Sequence, residues 1–130
     1  MPPFRFYIKE NEMKEYYGNL ENNGKNYLLA FSFNVMERIQ EEYGSIEKWG
    51  QLCGGGDGVE PNIKALKFGF TEMINEGIDI LNEKNGEHNP PMTLRQVGRL
   101  LSDVGFDNAT TALQSVVSDS TKTGADEKNA

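Results

Sequence analysis

Between residues 61 and 83 the apolar positions Ile63, Leu66, Phe70, Met73, Ile74, Gly77, Ile80 and Leu81 gather on one side of a helix at about 100° per residue. Lys64, Thr71, Glu72, Asn75, Asp79 and Asn82 gather on the other. A helix this long and this one-sided cannot stand alone, and the rest of the chain has to cover it. Pro61 suits its first turn, and Gly77 inside the apolar face predicts close approach by another element. Phe68 lies about 160° from the centre of that face. It is either covered by the hairpin or the fourth helix, or it belongs to a contact patch for a partner or a second subunit.

The remaining segments supply the cover. Residues 25–33 alternate, with Tyr27, Leu29, Phe31 and Phe33 on one face and Leu28, Ala30 and Ser32 on the other. Asn23-Gly24 just before them tolerates the positive φ of a type I′ turn. The partner strand at 15–22 is weaker, interrupted by Gly18. Phe4, Phe6 and Ile8 also alternate, as a third edge strand or a loose arm. From Asn34, which can cap a helix, the period becomes helical through Met36, Ile39 and Tyr43 until Gly44 stops it. Ser45 caps a short second helix carrying Ile46, Trp49 and Cys53 at helical spacing. Gly54 to Gly58, broken by Asp57, ends it. After a loop at 85–91, Thr93 opens a fourth helix with a capping box to Gln96. Leu94, Val97, Leu101 and Val104 face inward there, Arg95 and Arg99 face out together, and Gly105 ends it. A fifth helix runs over 107–117 on Ala109, Ala112, Leu113 and Val116.

The expected fold class is α+β, mostly α: an N-terminal β-hairpin (15–33), then about five helices in a compact bundle (34–117). It forms a single domain over 1–117, with a disordered tail at 118–130.

Few chemistries survive the residue counts. One cysteine, Cys53, rules out an intrachain disulfide and any multi-cysteine zinc site. Cys53 reads as a small buried apolar residue with no basic neighbour to activate it. The single histidine, His88, sits in a proline-rich loop that offers no fixed metal geometry and reads as a surface residue. The glycine run lacks the Lys-Ser/Thr of a phosphate loop, and Asp57 and Glu60 would repel phosphate. It reads as a flexible connector. Glu72, Glu76, Asp79 and Glu83 form a carboxylate band that could do acid–base work only if burial separated their pKa values. On a polar helix face such a band is ordinarily solvated. No enzyme, cofactor or metal is expected.

The net charge of −7 includes no basic segment able to neutralise several phosphates, so neither nucleic acid nor anionic membrane is an expected partner. No apolar run approaches the roughly 20 residues of a membrane span, and the N-terminus lacks a secretory apolar run. Residues 93–117 have the outline of a helix-turn-helix, with Asn108, Thr110, Thr111, Gln114 and Ser115 placed to meet bases. No Lys or Arg in that segment follows Arg99 to anchor it on phosphate, so DNA binding is a lesser alternative. Protein binding is the function class that remains.

The stretch Leu29-Ala30-Phe31-Ser32-Phe33-Asn34, leading into Met36-Glu37-Arg38-Ile39-Gln40-Glu41-Glu42-Tyr43-Gly44-Ser45-Ile46, resembles the tail assembly chaperones of long-tailed bacteriophages and prophages. The Thr-led helix Thr93-Leu94-Arg95-Gln96-Val97-Gly98-Arg99-Leu100-Leu101 is similar to theirs, and the resemblance covers about residues 27–105. It implies a non-enzymatic role in virion morphogenesis in the host cytoplasm. The partners it implies are the tape-measure protein and the tube protein, with a homo-oligomer as a further possibility. Such chaperones often exist in two lengths through a frameshift. A structural tail or head–tail connector protein is the nearest alternative. Trp49, Phe68 and Phe106 are the expected partner-binding side chains.

Overall fold

The computed structural model describes residues 13–55 and 58–129, with side chains described as far as Ser118. It is α+β and mostly α, a two-stranded hairpin followed by five helices. Strands β1 (Tyr17–Asn22) and β2 (Lys25–Ala30) pair antiparallel in register from Asn22↔Lys25 to Tyr17↔Ala30. Asn23 (φ 53°) and Gly24 (φ 83°) close the hairpin, both in the positive-φ region that a type I′ turn requires. The alternating residues at 4–8 lie outside the described residues.

β2 stops at Ala30, not Phe33, because the next helix begins earlier than expected. Helix α1 (Phe33–Tyr43) is capped by Ser32, whose hydroxyl accepts the Val35 N–H at 3.4 Å. Asn34, the expected cap, lies inside the first turn. The choice of Ser32 is fixed from outside the helix, since its hydroxyl also donates to Glu76 at 2.6 Å. Phe33 therefore leaves the strand's inner face and points to solvent.

Helix α2 (Ile46–Gly54) starts on Ser45, as expected. Helix α3 (Ile63–Asn85) is capped by Asn62 and ends at Gly86 in the left-handed region. Helix α4 (Leu94–Val104) carries the complete Thr93–Gln96 capping box and ends at Gly105. Helix α5 is Phe106–Asn129, so its backbone runs past the Val117 end that its apolar residues mark. The tail expected at 118–130 falls on residues whose side chains, Ser118 apart, lie outside the description. No helix among the described residues is long and apolar enough to cross a membrane.

α3 is the central element, packed by β2, α4, α1 and α2, which is why its apolar face is so wide. The main core joins Phe31, Ile39, Trp49, Phe70, Met73, Ile74, Val97 and Val116. A second cluster, Tyr17, Leu28 and Ala30 with Met13, Tyr16, Ile80 and Leu81, covers the hairpin's other face. The hairpin is apolar on both faces because both are buried.

Two glycines set the close approaches. A Cβ at Gly77 would overlap the carbonyl oxygen of Leu28, so the glycine expected to admit a neighbour admits the backbone of β2. Gly18, which looked like a weakness of β1, is the seat of α5: a Cβ there would be 2.8 Å from that of Val116.

Three positions depart from the expected faces. Ile63 and Leu94 are 54% and 53% exposed, because each is the first residue of its helix and its side chain leans back past the core. Thr71, expected on the solvent side, is only 9% exposed, since α3 is enclosed on several sides.

Candidate protein-binding surface

The three side chains expected to meet a partner do not form one patch. Trp49 is a core residue, 1% exposed. Its ring stacks near-parallel on Phe31 at 6.0 Å, and its indole N–H donates to the Ala65 carbonyl at 2.9 Å. Gly69 leaves the space its ring occupies. Phe68 is half-buried, with side chains of α1 over its ring. Tyr43 meets its ring edge-on at 5.6 Å, and the Arg38 guanidinium lies 5.6 Å from the ring centroid. Phe106 alone stays exposed, at 40%.

The cover over Phe68 belongs to a seam in which α1 runs antiparallel to α3. Glu76 accepts from Ser32 and, at 3.1 Å, from the Asn34 amide. One turn along, Arg38 stands 3.8 Å from Glu72, and one turn further Tyr43 meets Phe68. The guanidinium of Arg38 is held above its ordinary pKa, first by its hydrogen bond to Glu41 and then by the charge of Glu72. Two members of the carboxylate band are therefore inter-helix partners of α1, while Asp79 and Glu83 face solvent.

The same junction opens the best-placed apolar groove. Tyr16, Phe31, Phe33, Met36 and the polar rim Ser32, Asn34 and Glu76 line a depression of about 390 Å³. Phe33 stands 85% exposed beside it, the most exposed large apolar side chain described. Its backbone is fixed by the α1 cap, so the ring is presented from a rigid base. Sequence reasoning placed Phe33 inside the sheet. A signal for its true position was present: Phe31 and Met36 flank Ser32 at the two positions of a hydrophobic staple, which marks Ser32 as the cap.

A second groove of about 420 Å³ lies between β2 and the run 89–92, with Tyr27, Leu28, Ile78, Leu81, Pro90 and Met92 among its lining. Two asparagines on α3 hold that run in place. Asn75 donates to the Met92 carbonyl (3.0 Å) and accepts its N–H (2.8 Å). Asn82 does the same for Asn89, at 3.0 Å each way. Spaced seven residues apart, they share one face of α3 and act as substitutes for a backbone partner.

Cys53 is buried, and burial pushes its thiol up to about 12. His88 is exposed, and no trio of His, Cys, Asp or Glu among the described residues could hold a metal. At the glycine connector the Asn62 N–H bonds the Leu52 carbonyl at 2.7 Å. A Cβ at Gly55 would be 2.7 Å from the Val59 carbonyl oxygen, so the connector's ends are packed closely together. On α5, Asn108 donates to the Val104 carbonyl and Thr110 to that of Phe106. Two of the five side chains placed to read bases are thus engaged with nearby backbone carbonyls, Asn108 with the end of α4 and Thr110 with the first turn of α5.

Comparison with known proteins yields no match to a family model, a curated protein or a solved structure.

Proposed function

We propose that this chain is a non-enzymatic tail assembly chaperone of a long-tailed bacteriophage or prophage, binding the tape-measure protein in the host cytoplasm until tube subunits replace it. The observation that carries the protein-binding part is Phe33, exposed on a rigid junction beside an apolar groove. It lies inside the stretch 29–46 that bears the resemblance. The other parts of that resemblance have counterparts in the element order: the strand β2, the helix α1 closed by Tyr43-Gly44, the long α3 and the Thr93-capped α4. A partly helical client would dock by laying its apolar stripe over Phe33 and Met36, with Asn34 and Glu76 at the rim.

Co-expression with a tape-measure protein tests this. The wild-type chain should keep that client soluble and co-purify with it. Phe33→Asp should lose both effects while keeping the wild-type circular dichroism spectrum. A client that is equally soluble without the chain sinks the reading. Recovery of the chain from purified virions would instead favour a structural tail or connector component.

A further inference from the structure

Among the described helices α4 is the one on which cations outnumber anions, with Arg95 and Arg99 against Asp103 in a chain of net charge −7. Arg95, Arg99 and Ser102 recur at i, i+4 and i+7, and Lys67 reaches across from α3. Together with Gly98 and Asp103 they line a shallow cleft of about 610 Å³. Gly98 makes room for it: a Cβ there would be 3.2 Å from Lys67 Cε, so the lysine stem lies along the glycine. None of Lys67, Arg95 and Arg99 makes an ion pair among the described residues, whereas Arg38 pairs with Glu41 and Glu72. Asp103 supplies one negative charge at the cleft against three positive. With one of the three positive charges offset by Asp103, the cleft keeps a net positive charge that an incoming anion would complement.

From this cleft we infer a second contact site, for an acidic amphipathic helix of a partner polypeptide whose carboxylates pair with Arg95, Arg99 and Lys67. The i, i+4 spacing of the arginines matches glutamates spaced i, i+4 on a facing helix. Exposed apolar side chains on the same two helices argue for a polypeptide over a simple anion. Ile63 stands one turn before Lys67, Leu94 precedes Arg95, and both are more than half exposed. Three cations on an acidic protein are too few to hold a nucleic-acid backbone. The inference rests on the chain being a protein binder, but not on Phe33.

The test titrates the full chain with a synthetic Leu/Ala/Glu helical peptide bearing glutamates at i, i+4, and with its Glu→Gln twin, by fluorescence anisotropy. The glutamate peptide should bind, weaken with added salt, and bind more tightly than the twin. Exposed charge pairs change affinity by up to roughly fivefold each, so Arg95→Glu with Arg99→Glu should weaken binding roughly tenfold or more. Both arginines are exposed, and the double variant should keep the wild-type melting curve. Phe33→Asp should leave peptide affinity unchanged. If Phe33→Asp alone abolishes it, the peptide sits in the Phe33 groove; this inference then fails while the proposed function stands. Equal binding of the twin, no binding of either peptide, or indifference to the reversals also overturns it. So does tighter, reversal-sensitive binding of a DNA duplex, or a salt-sensitive self-association lost in the double variant, which would make a second copy the occupant.

Discussion

The same substitution, glycine to alanine, should have opposite effects at two helical positions. Gly50 lies in α2 with open space where a Cβ would go. Gly50→Ala should therefore gain the helix-propensity difference of up to about 1 kcal/mol. Gly77→Ala gains the same propensity, but its methyl would overlap the Leu28 carbonyl oxygen and stand 3.0 Å from the carbonyl carbon and 3.2 Å from the Leu28 Cβ. The obstacle is backbone on the opposing strand, so no side-chain rotation relieves it. α3 and β2 must separate, which also loosens Leu28 and Ile74 in the packed interior. Overpacking of this kind costs about 1–3 kcal/mol, and a backbone-on-backbone clash belongs at the upper end. After the propensity gain, Gly77→Ala should be destabilised by about 2 kcal/mol and differ from Gly50→Ala by about 3 kcal/mol. Urea denaturation followed by circular dichroism reads this directly, provided the slopes match. Two variants of equal stability would refute the claim that Gly77 is set by the approach of β2.

Three further outcomes follow from the geometry. Trp49→Ala should lose about 3–5 kcal/mol, whereas Phe33→Ser should stay within about 0.5 kcal/mol of wild type, as chemical denaturation will show. Asn75→Ala should cost about 1–2 kcal/mol by leaving the half-buried Met92 backbone without its partner, and Asn82→Ala, whose partner Asn89 is exposed, should cost less. Faster amide exchange at Met92 in the first variant and at Asn89 in the second is the diagnostic. Cys53 should resist alkylation in the folded protein at pH 8 and react once urea unfolds it. Its folded pKa is raised from 9.0 to about 12 by burial, so the folded state holds the proton longer than the unfolded state does. The sign is therefore a loss of stability as pH rises from about 9 towards 12, with no contribution below that window. Cys53→Ala should flatten the alkaline limb of a stability–pH profile.

Local chemistry made most of the element boundaries legible. Asn23-Gly24 can close only one kind of turn cheaply, Thr93 and Gln96 satisfy each other's orphan backbone groups, and Gly44, Gly86 and Gly105 each end a helix. The boundary that failed is the one where two local signals competed. Alternation carried the strand to Phe33, while the staple of Phe31 and Met36 set the cap at Ser32; the bond from Ser32 to Glu76, forty-four residues away, decided between them. The candidate site depends on that decision, because Phe33 is buried under one outcome and presented to solvent under the other. No pattern confined to residues 25–43 contains Glu76.

The polar face of α3 carries the same lesson further. Hydrophobic periodicity separates residues that enter the core from those that avoid it, but avoiding the core is not the same as facing water. Glu72 and Glu76, four residues apart, meet α1 one turn at a time, and Asn75 and Asn82, seven apart, hold the run 89–92. Both spacings place residues on a common stripe of the helix, so each set forms a ladder for one neighbouring segment. Polar pairs at helical repeats on a long amphipathic helix therefore mark docking lines as readily as solvated surface. The buried polar side chain of α3, Thr71, has a hydroxyl oxygen with no hydrogen-bond partner among the described residues. Thr71→Val keeps the shape and removes that unpaired group, and should therefore stabilise the fold by about 1 kcal/mol. A loss of stability in its thermal melt would mean that the hydroxyl is satisfied in solution, and that α3 is less tightly enclosed at this turn than its neighbours imply.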